Sequence, residues 1–387
     1  MRAENRRSCE KERLKKQDVR KESLCYNKYR RLSFCVHGRS NETGRQTAER
    51  PKTDVSCSGT IAGDAVMKFQ MNFTTSQDDV QRYASAEDLR GFYRKYGLNG
   101  LEVMPLPCER NGRWAPPDTC PLLQPDMVVG VHTCSIADWM GMERGSVAAH
   151  YRRDLQYAER MGAEYVVFHV TQISAEESWT YRMTHTDEEV IDASCSLINE
   201  LLDGQGYSFW FLMENLWWPG LTFRSPACTG RLLDGVHYEK KGLMLDTGHY
   251  MHTDPAPASG EEAVAALHAM LDRHGELVSR IKGLHIHQSL TGAYVRDWLS
   301  APGPLPEDPE ERFCKMYEHI FAIDRHEPFT APGLSGLVER IAPLYATYEY
   351  ITRDREEHGR YLEKGLLRRK FVAKSNNNKG IAGSKRR

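Results

Sequence analysis

The sequence predicts an α/β protein of the (β/α)8 barrel class, and three observations predict it. Between residues 67 and 365, eight short apolar runs alternate with amphipathic stretches, the rhythm of strand and helix repeated around a barrel. Side chains of metal-ligand type close six of the eight runs, and the C-terminal ends of the strands are where such a barrel gathers its chemistry. No Gly-x-Gly-x-x-Gly follows the first run. That argues against an open doubly wound sheet, the other fold with this alternation.

The strand runs are 68–73 (Lys-Phe-Gln-Met-Asn-Phe), 99–104, 127–133, 164–170, 209–214, 242–247, 281–287 and 345–350. Each is rich in Val, Leu, Ile, Met or aromatic residues, as buried parallel strands are. Apolar residues recur with helical spacing over 144–161, 186–203, 261–279 and 332–342, which predicts helices packed by one face. The segment 288–331 is longer than a barrel loop needs and holds Pro302, Pro304, Pro306 and Pro309. It reads as an insertion over the active-site mouth.

The ends differ from the body. The whole chain holds 52 Lys/Arg and 53 Asp/Glu, but residues 1–66 carry 16 basic against 9 acidic residues, and 366–387 carry 8 basic and no acidic ones. The body, 67–365, is left with 28 basic and 44 acidic residues, a net of −16. The leader 1–66 lacks any apolar period and reads as disordered, as does the basic tail 366–387. Met67 directly precedes the first strand run, so the leader reads as an extension ahead of the domain. An acidic body repels a polyanion unless a basic patch is set into it, which counts against nucleic acid as partner. Ten cysteines, at 9, 25, 35, 57, 108, 120, 134, 195, 228 and 314, form no CxxC pair. They read as reduced thiols of a cytoplasmic protein. No apolar stretch approaches the ~18 residues of a membrane span, and the N-terminus lacks a signal-peptide core.

The chemistry-bearing residues lie at the strand ends. His132 closes the third run, His169 the fourth and Glu214 the fifth; Asp246 closes the sixth with His249 just beyond, and His285 and His287 close the seventh. Asp324-Arg325-His326 precedes the eighth run, which carries Glu349. Residues two apart on a strand share a face, so His285 and His287 are expected to point inward together. Taken singly, each has an ordinary explanation: Asp246 suits a helix N-cap, and Glu349 between two tyrosines suits a solvated edge. Jointly the ordinary explanations fail, because buried carboxylates and imidazoles converging at one mouth are costly without a cation. The cofactor expected is a divalent metal, zinc or manganese, one ion or more.

Glu-Asn-Leu (214–216), Leu-Asp-Thr-Gly-His (245–249), His-Ile-His (285–287), Asp-Arg-His (324–326) and Glu349, in that order, resemble the xylose isomerase-like TIM-barrel superfamily. That group includes sugar-phosphate isomerases and epimerases and the endonuclease IV-type nucleases of abasic sites. The resemblance covers roughly 67–355. It implies that Glu214, Asp246, His285 and Glu349 form a shared metal site. It also implies that His132, His169, His249, Asp324 and His326 stand where the nuclease branch holds two further metals. Two departures stand out: Gln288 where many members carry Asp, and the long spacing from His285 to Asp324. The epimerases' substrate-holding Arg shortly after the seventh-strand His is also missing, leaving Arg296 or Arg325 to substitute.

The leading expectation is a metal-dependent isomerase or epimerase of a sugar or sugar phosphate. Chelation of adjacent hydroxyl and carbonyl oxygens acidifies the neighbouring C–H, and Glu214 and Glu349 on opposite sides pass a proton between them. His249 is expected to hold a substrate oxygen, and Trp217 and Trp218 to wall one sugar face. The alternative is an endonuclease IV-like zinc phosphodiesterase, favoured by the ligand set and opposed by the acidic body. A third reading is a barrel that binds metal or sugar without catalysis.

Overall fold

The computed structural model describes residues 67–365 and 367, apart from 107, 111, 112 and 116. The expectations of disorder for the leader and tail lie outside the described residues. Eight parallel strands close into a barrel: β1 (Lys68–Thr74), β2 (Gly100–Met104), β3 (Val128–His132), β4 (Tyr165–His169), β5 (Trp210–Glu214), β6 (Lys241–Asp246), β7 (Ile281–His285) and β8 (Tyr345–Tyr348), each paired with its sequence neighbours and β8 with β1. The expected (β/α)8 architecture is therefore present, and all eight strand runs become strands.

Alternation along each strand sorts the side chains into two layers. One set faces the helices and merges into the main core, with Val166, Phe168, Phe211, Met213, Leu243 and Leu245 among its members. The other set fills the lumen: Val129, Tyr165, Val167, Leu212, Met244 and Tyr345 form a separate buried cluster. Counting upward by twos from that floor reaches His169 on β4, Glu214 on β5 and Asp246 on β6. The lumen is thus packed with mainly apolar side chains at its floor and chemistry-bearing ones towards the C-terminal rim. Register then fixes neighbours across strands: His169 lies opposite Glu214, and Asp246 opposite His285. Packing Tyr165 into the lumen demands space on β3, where a methyl group at Gly130 would overlap its ring.

The helices follow their local signals. Ser174 and Thr186 each close a capping box with the Glu three residues on, starting Ala175–Thr180 and Asp187–Leu202. Arg144–Met161 stops at Gly162, whose φ of 65° suits glycine. The expected helix 261–279 divides into Gly260–His274 and a 3-10 segment, Gly275–Arg280, because Gly275 takes φ 52°.

Two strand ends are corrected. The run 281–287 leaves the barrel at His285, and Gln288 instead bridges Glu327. The last strand stops at Tyr348, so Glu349 sits one residue past it. The expected insertion is helical. It folds into Gly292–Ser300 and Pro309–Ile323, because Pro309 stands at the first helical turn behind an Asp308 cap, a position where proline starts a helix. The Pro309–Ile323 helix packs against Ala175–Thr180, in the loop after β4. Trp179 Nε1 donates to Gly303 O at 2.6 Å, tying that loop to the insertion. Ile320 reaches the Leu216–Trp218 cluster beyond β5.

Candidate metal centre

The rim residues converge on Glu214, which is fully buried. Its two oxygens face different groups. Oε2 lies 3.1 Å from His132 Nε2 and 3.0 Å from His169 Nε2. Oε1 lies 2.9 Å from His285 Nδ1 and 3.5 Å from His249 Nδ1. One carboxylate therefore joins two donor sets. The first is His132, His169 and Glu214; the second is Glu214, Asp246, His285 and Glu349, and a third gathers His249, His287, Asp324 and His326. Within each set the ligand atoms lie within 4.8 Å of one another. All ten ligand-type residues named at the rim, His287 included, are brought together.

Each element aims its side chain through a specific contact. Asn215 receives Asp246 N at 2.8 Å and donates to Asp246 O at 3.2 Å, locking β5 to β6. Asp246 splits its carboxylate: Oδ1 accepts His249 N at 2.7 Å as the cap of Thr247–Met251, while Oδ2 faces His287 Nε2 at 2.8 Å. It is a helix cap and a site residue at once. The His287 ring stacks on His326, centroids 3.8 Å apart and 10° from parallel. Two parallel rings cannot aim their lone pairs at one ion, so we read His287 as the donor that holds Asp246, not as a ligand of the third set. Gly248 is required beside it, since a methyl there would overlap the His287 ring.

The tautomers follow from outer partners. His132 Nδ1 donates to Thr133 O at 2.9 Å, His249 Nδ1 to Asn215 O at 2.9 Å and His326 Nδ1 to Glu349 O at 3.0 Å. His169 Nδ1 pairs with Ser135 Oγ at 2.8 Å. In each case the other nitrogen faces a carboxylate of the site. This is the usual arrangement of a metal-binding imidazole, one nitrogen anchored and one offered.

Divalent cations fit this donor set, and His285 shows why. Its Nδ1 is faced by Glu214 at 2.9 Å, Glu349 at 3.0 Å and Asp246 at 3.6 Å. One nitrogen carries at most one proton, so three carboxylates cannot all be satisfied by it. Glu349 Oε2 and His169 Nε2 are buried without a hydrogen-bond partner, despite their short approach to His285 and Glu214. Orphaned buried polar atoms cost about 1–3 kcal/mol each. Cations held by these residues remove that cost. Imidazole and carboxylate donors together suit zinc.

Without cations the centre is held by charge sharing. Burial disfavours the imidazolium of His132, but Glu214 outweighs it and raises its pKa to about 9. Burial likewise opposes His326, which Asp324 raises to about 9. Burial opposes ionisation of Glu349, yet His285 draws its carboxyl down to about 2. His169 runs the other way: burial lowers it, and the charges of His132 and His249 add to the effect.

Two participants escaped the sequence reading. Glu102, inside β2, accepts from His285 Nε2 at 3.1 Å; its signal was an acid in the middle of an otherwise apolar strand. His252 approaches Asp324 Oδ1 at 3.3 Å, which also accepts Ser289 Oγ at 2.9 Å. Its signal was the spacing of three from His249, one face of a short helix. Two expectations shift as well. His249 Nε2 faces Asp324 Oδ2 at 3.2 Å, within the third donor set. Arg296 is turned onto Pro255 O at 2.5 Å, whereas Arg325 stands exposed beside Asp324 and His326.

Buried imidazole–carboxylate sets at the C-terminal rim of a closed barrel, close enough to share a metal ion, define the class of site. Residues 66–339 match the family model described as the xylose isomerase-like TIM barrel, and the chain belongs to that family. Solved structures that the chain is similar to include a D-tagatose 3-epimerase-like protein (14% identity, 81% of this chain and 99% of that one covered, TM-score 0.44). Others are endonuclease IV from Thermus thermophilus (16%, 79% and 99%, 0.44) and IOLI protein with a binding zinc atom (13%, 80% and 99%, 0.46). No curated protein matches the chain. No helix among the described residues is long and apolar enough to cross a membrane. Membership fits either a sugar isomerase or epimerase or an endonuclease IV-like enzyme.

Proposed function

We propose that this barrel is a multi-cation hydrolase of phosphoester bonds, acting on a small phosphodiester in preference to duplex DNA. The observation that carries the reading is Glu214, whose two oxygens serve two adjoining donor sets. A single-cation isomerase uses Glu214, Asp246, His285 and Glu349 and leaves His132, His169, His249, Asp324 and His326 without a task. It also needs Glu214 free to exchange a proton, and here two imidazoles engage Oε2.

Adjacent divalent cations supply Lewis-acid stabilisation of both the attacking and the leaving oxygen of a phosphoryl transfer. The residues divide the remaining work. His132, His169 and Glu214 would hold one ion, Glu214, Asp246, His285 and Glu349 a second, and His249, Asp324 and His326 a third. The side chains of His169 and Glu349, at 18% and 13% exposure, are the ligand-type groups that meet solvent, so substrate enters on their side. Glu349, partly exposed at this side, would border the reacting oxygen while helping to hold the second ion. Arg325 offers an exposed guanidinium to a phosphate oxygen. The acidic body and the helical insertion beside the mouth favour a compact substrate over a polyanion.

The test is metal analysis of purified protein together with three assays: bis(p-nitrophenyl) phosphate hydrolysis, cleavage of an abasic-site duplex, and solvent proton exchange into ketohexoses. We expect two to three zinc ions per chain and hydrolysis of the small diester that is lost in Glu214→Gln. One bound ion with proton exchange and no hydrolysis would replace this reading by the isomerase. Efficient cleavage of the abasic duplex would keep the hydrolysis and overturn the substrate class.

A further inference from the structure

Barrel lumens are ordinarily filled by apolar layers, yet directly beneath this rim lies a polar one. Glu102 on β2, Tyr165 on β4 and Thr347 on β8 meet there with Gln70 of β1, all four buried. Glu102 sits at the centre of the layer. Its Oε2 accepts Tyr165 Oη–H at 2.6 Å and Thr347 Oγ1–H at 2.9 Å. The same carboxylate accepts from His285 Nε2, 3.0 Å from Oε1 and 3.1 Å from Oε2. A carboxylate buried this deeply survives only when its acceptor capacity is filled, and three donors from three strands fill it.

The consequence falls on His285. With its Nε2 proton pinned to Glu102, its Nδ1 carries the lone pair, and that atom is the one facing Glu214, Asp246 and Glu349. Turn the tautomer around and a proton would occupy the point on which the three carboxylates converge. The other imidazoles read as ligands, His132, His169, His249 and His326, are anchored through backbone carbonyls or a hydroxyl; among these five rings His285 uses a carboxylate, the partner that most raises an imidazole's donor strength. The arrangement is costly elsewhere: it places a tyrosine in the lumen and a glycine at position 130 to admit it.

We infer that Glu102 is a positioning residue of the central cation site. It fixes the tautomer and donor strength of His285 and is itself held by Tyr165 and Thr347. The inference rests on the cation-binding reading above, and the experiment separates the two. Zinc affinity of the whole protein is measured by chelator competition, and the absorption spectrum is recorded after cobalt(II) substitution, for wild type and Glu102→Gln. Glutamine keeps the volume but offers one acceptor oxygen to three donors and adds two N–H groups of its own.

The expected result is a 10–100-fold loss of affinity at one site only, the range for removing an outer partner of a metal-bound histidine. The cobalt ligand-field bands of the folded protein should shift, beside whatever drop in melting the unsatisfied donors cause in the metal-free protein. A merely structural role would move melting and leave the cobalt bands of the folded fraction unchanged, and that outcome overturns the inference. If Glu102→Gln fails to fold, Tyr165→Phe removes one donor to Glu102 without emptying the lumen. A smaller affinity loss with the same spectral shift supports the inference, and unaltered affinity and spectrum overturn it. Wild type that binds no divalent cation would sink the function reading first; wild type that binds normally beside an unaffected Glu102→Gln sinks only this one.

Discussion

At the scale of single residues, the centre works because individual atoms are given separate tasks. Asp246 is the clearest case, with one oxygen capping a helix and the other turned into the site. Asp246→Asn tests the division, since asparagine caps a helix as well as aspartate does. The cap is kept but the acceptor facing His287 is lost, so we expect the metal-free protein to lose only about 1–3 kcal/mol, with one cation fewer per chain by metal analysis. A large loss of stability with full metal content would show the cap to be the main role. Gly248 offers a second test, because a side chain there meets the His287 ring. Gly248→Ala should cost about 1–3 kcal/mol, the usual penalty of overpacking, and push His287 off Asp246. Wild-type melting in that variant would mean the ring has room to move.

At the scale of elements, the insertion behaves as a structured flank of the site. His319 on the Pro309–Ile323 helix is buried among Trp179, Tyr181, Tyr294 and Trp298, and Trp298 stacks closest at 4.1 Å. Tyr294 Oη lies 2.9 Å from its Nδ1, and burial drives its pKa down to about 4. A depressed pKa gives stability that is complete above the unfolded value, 6.5, and is lost as the pH falls through about 4. The difference is worth at most ~3 kcal/mol at one site. Hydrogen exchange across 309–323, corrected for its intrinsic pH dependence, should therefore speed up between pH 6.5 and 4. In His319→Phe that acceleration should disappear. Protection that is independent of pH in wild type would refute the account.

At the scale of the whole molecule, the proposed cations would compete with protons for one centre. His132 and His326, raised to about 9 by Glu214 and Asp324 against the opposing effect of burial, stabilise the metal-free fold fully below 6.5. That contribution disappears as pH rises through about 9. Cation binding has the opposite slope, since imidazole ligands must give up their protons. Chelator-treated protein should therefore melt at progressively lower temperature from pH 6.5 to 9. Zinc-loaded protein should hold or gain stability over the same range, with proton release on binding measurable by calorimetry. Parallel curves for the two forms would remove cations from the centre.

The sequence by itself determined the barrel and most of the rim. Strand runs are local, their apolar character follows from burial on both faces, and all eight became strands, two of them ending short of where they were read. The rim was legible because strand ends are fixed points of this architecture, so His132, His169, Glu214, Asp246 and His285 could be placed from position alone. Helix boundaries that depend on a cap were less visible: 288–331 was legible as a proline-bearing insertion, and the Asp308 cap shows that Pro309 opens a helix in it. What the tertiary structure alone decided is which atom faces which. Glu102 and His285 are far apart in the chain and meet through closure of the barrel. Likewise, the sharing of Glu214 between two donor sets depends on the register of β4 on β5 and on the approach of β7. Spacing along the chain carries the periodicity of a strand, but contact across a lumen is set by closure, register and the volume of the side chains between, and none of these is written in any single segment.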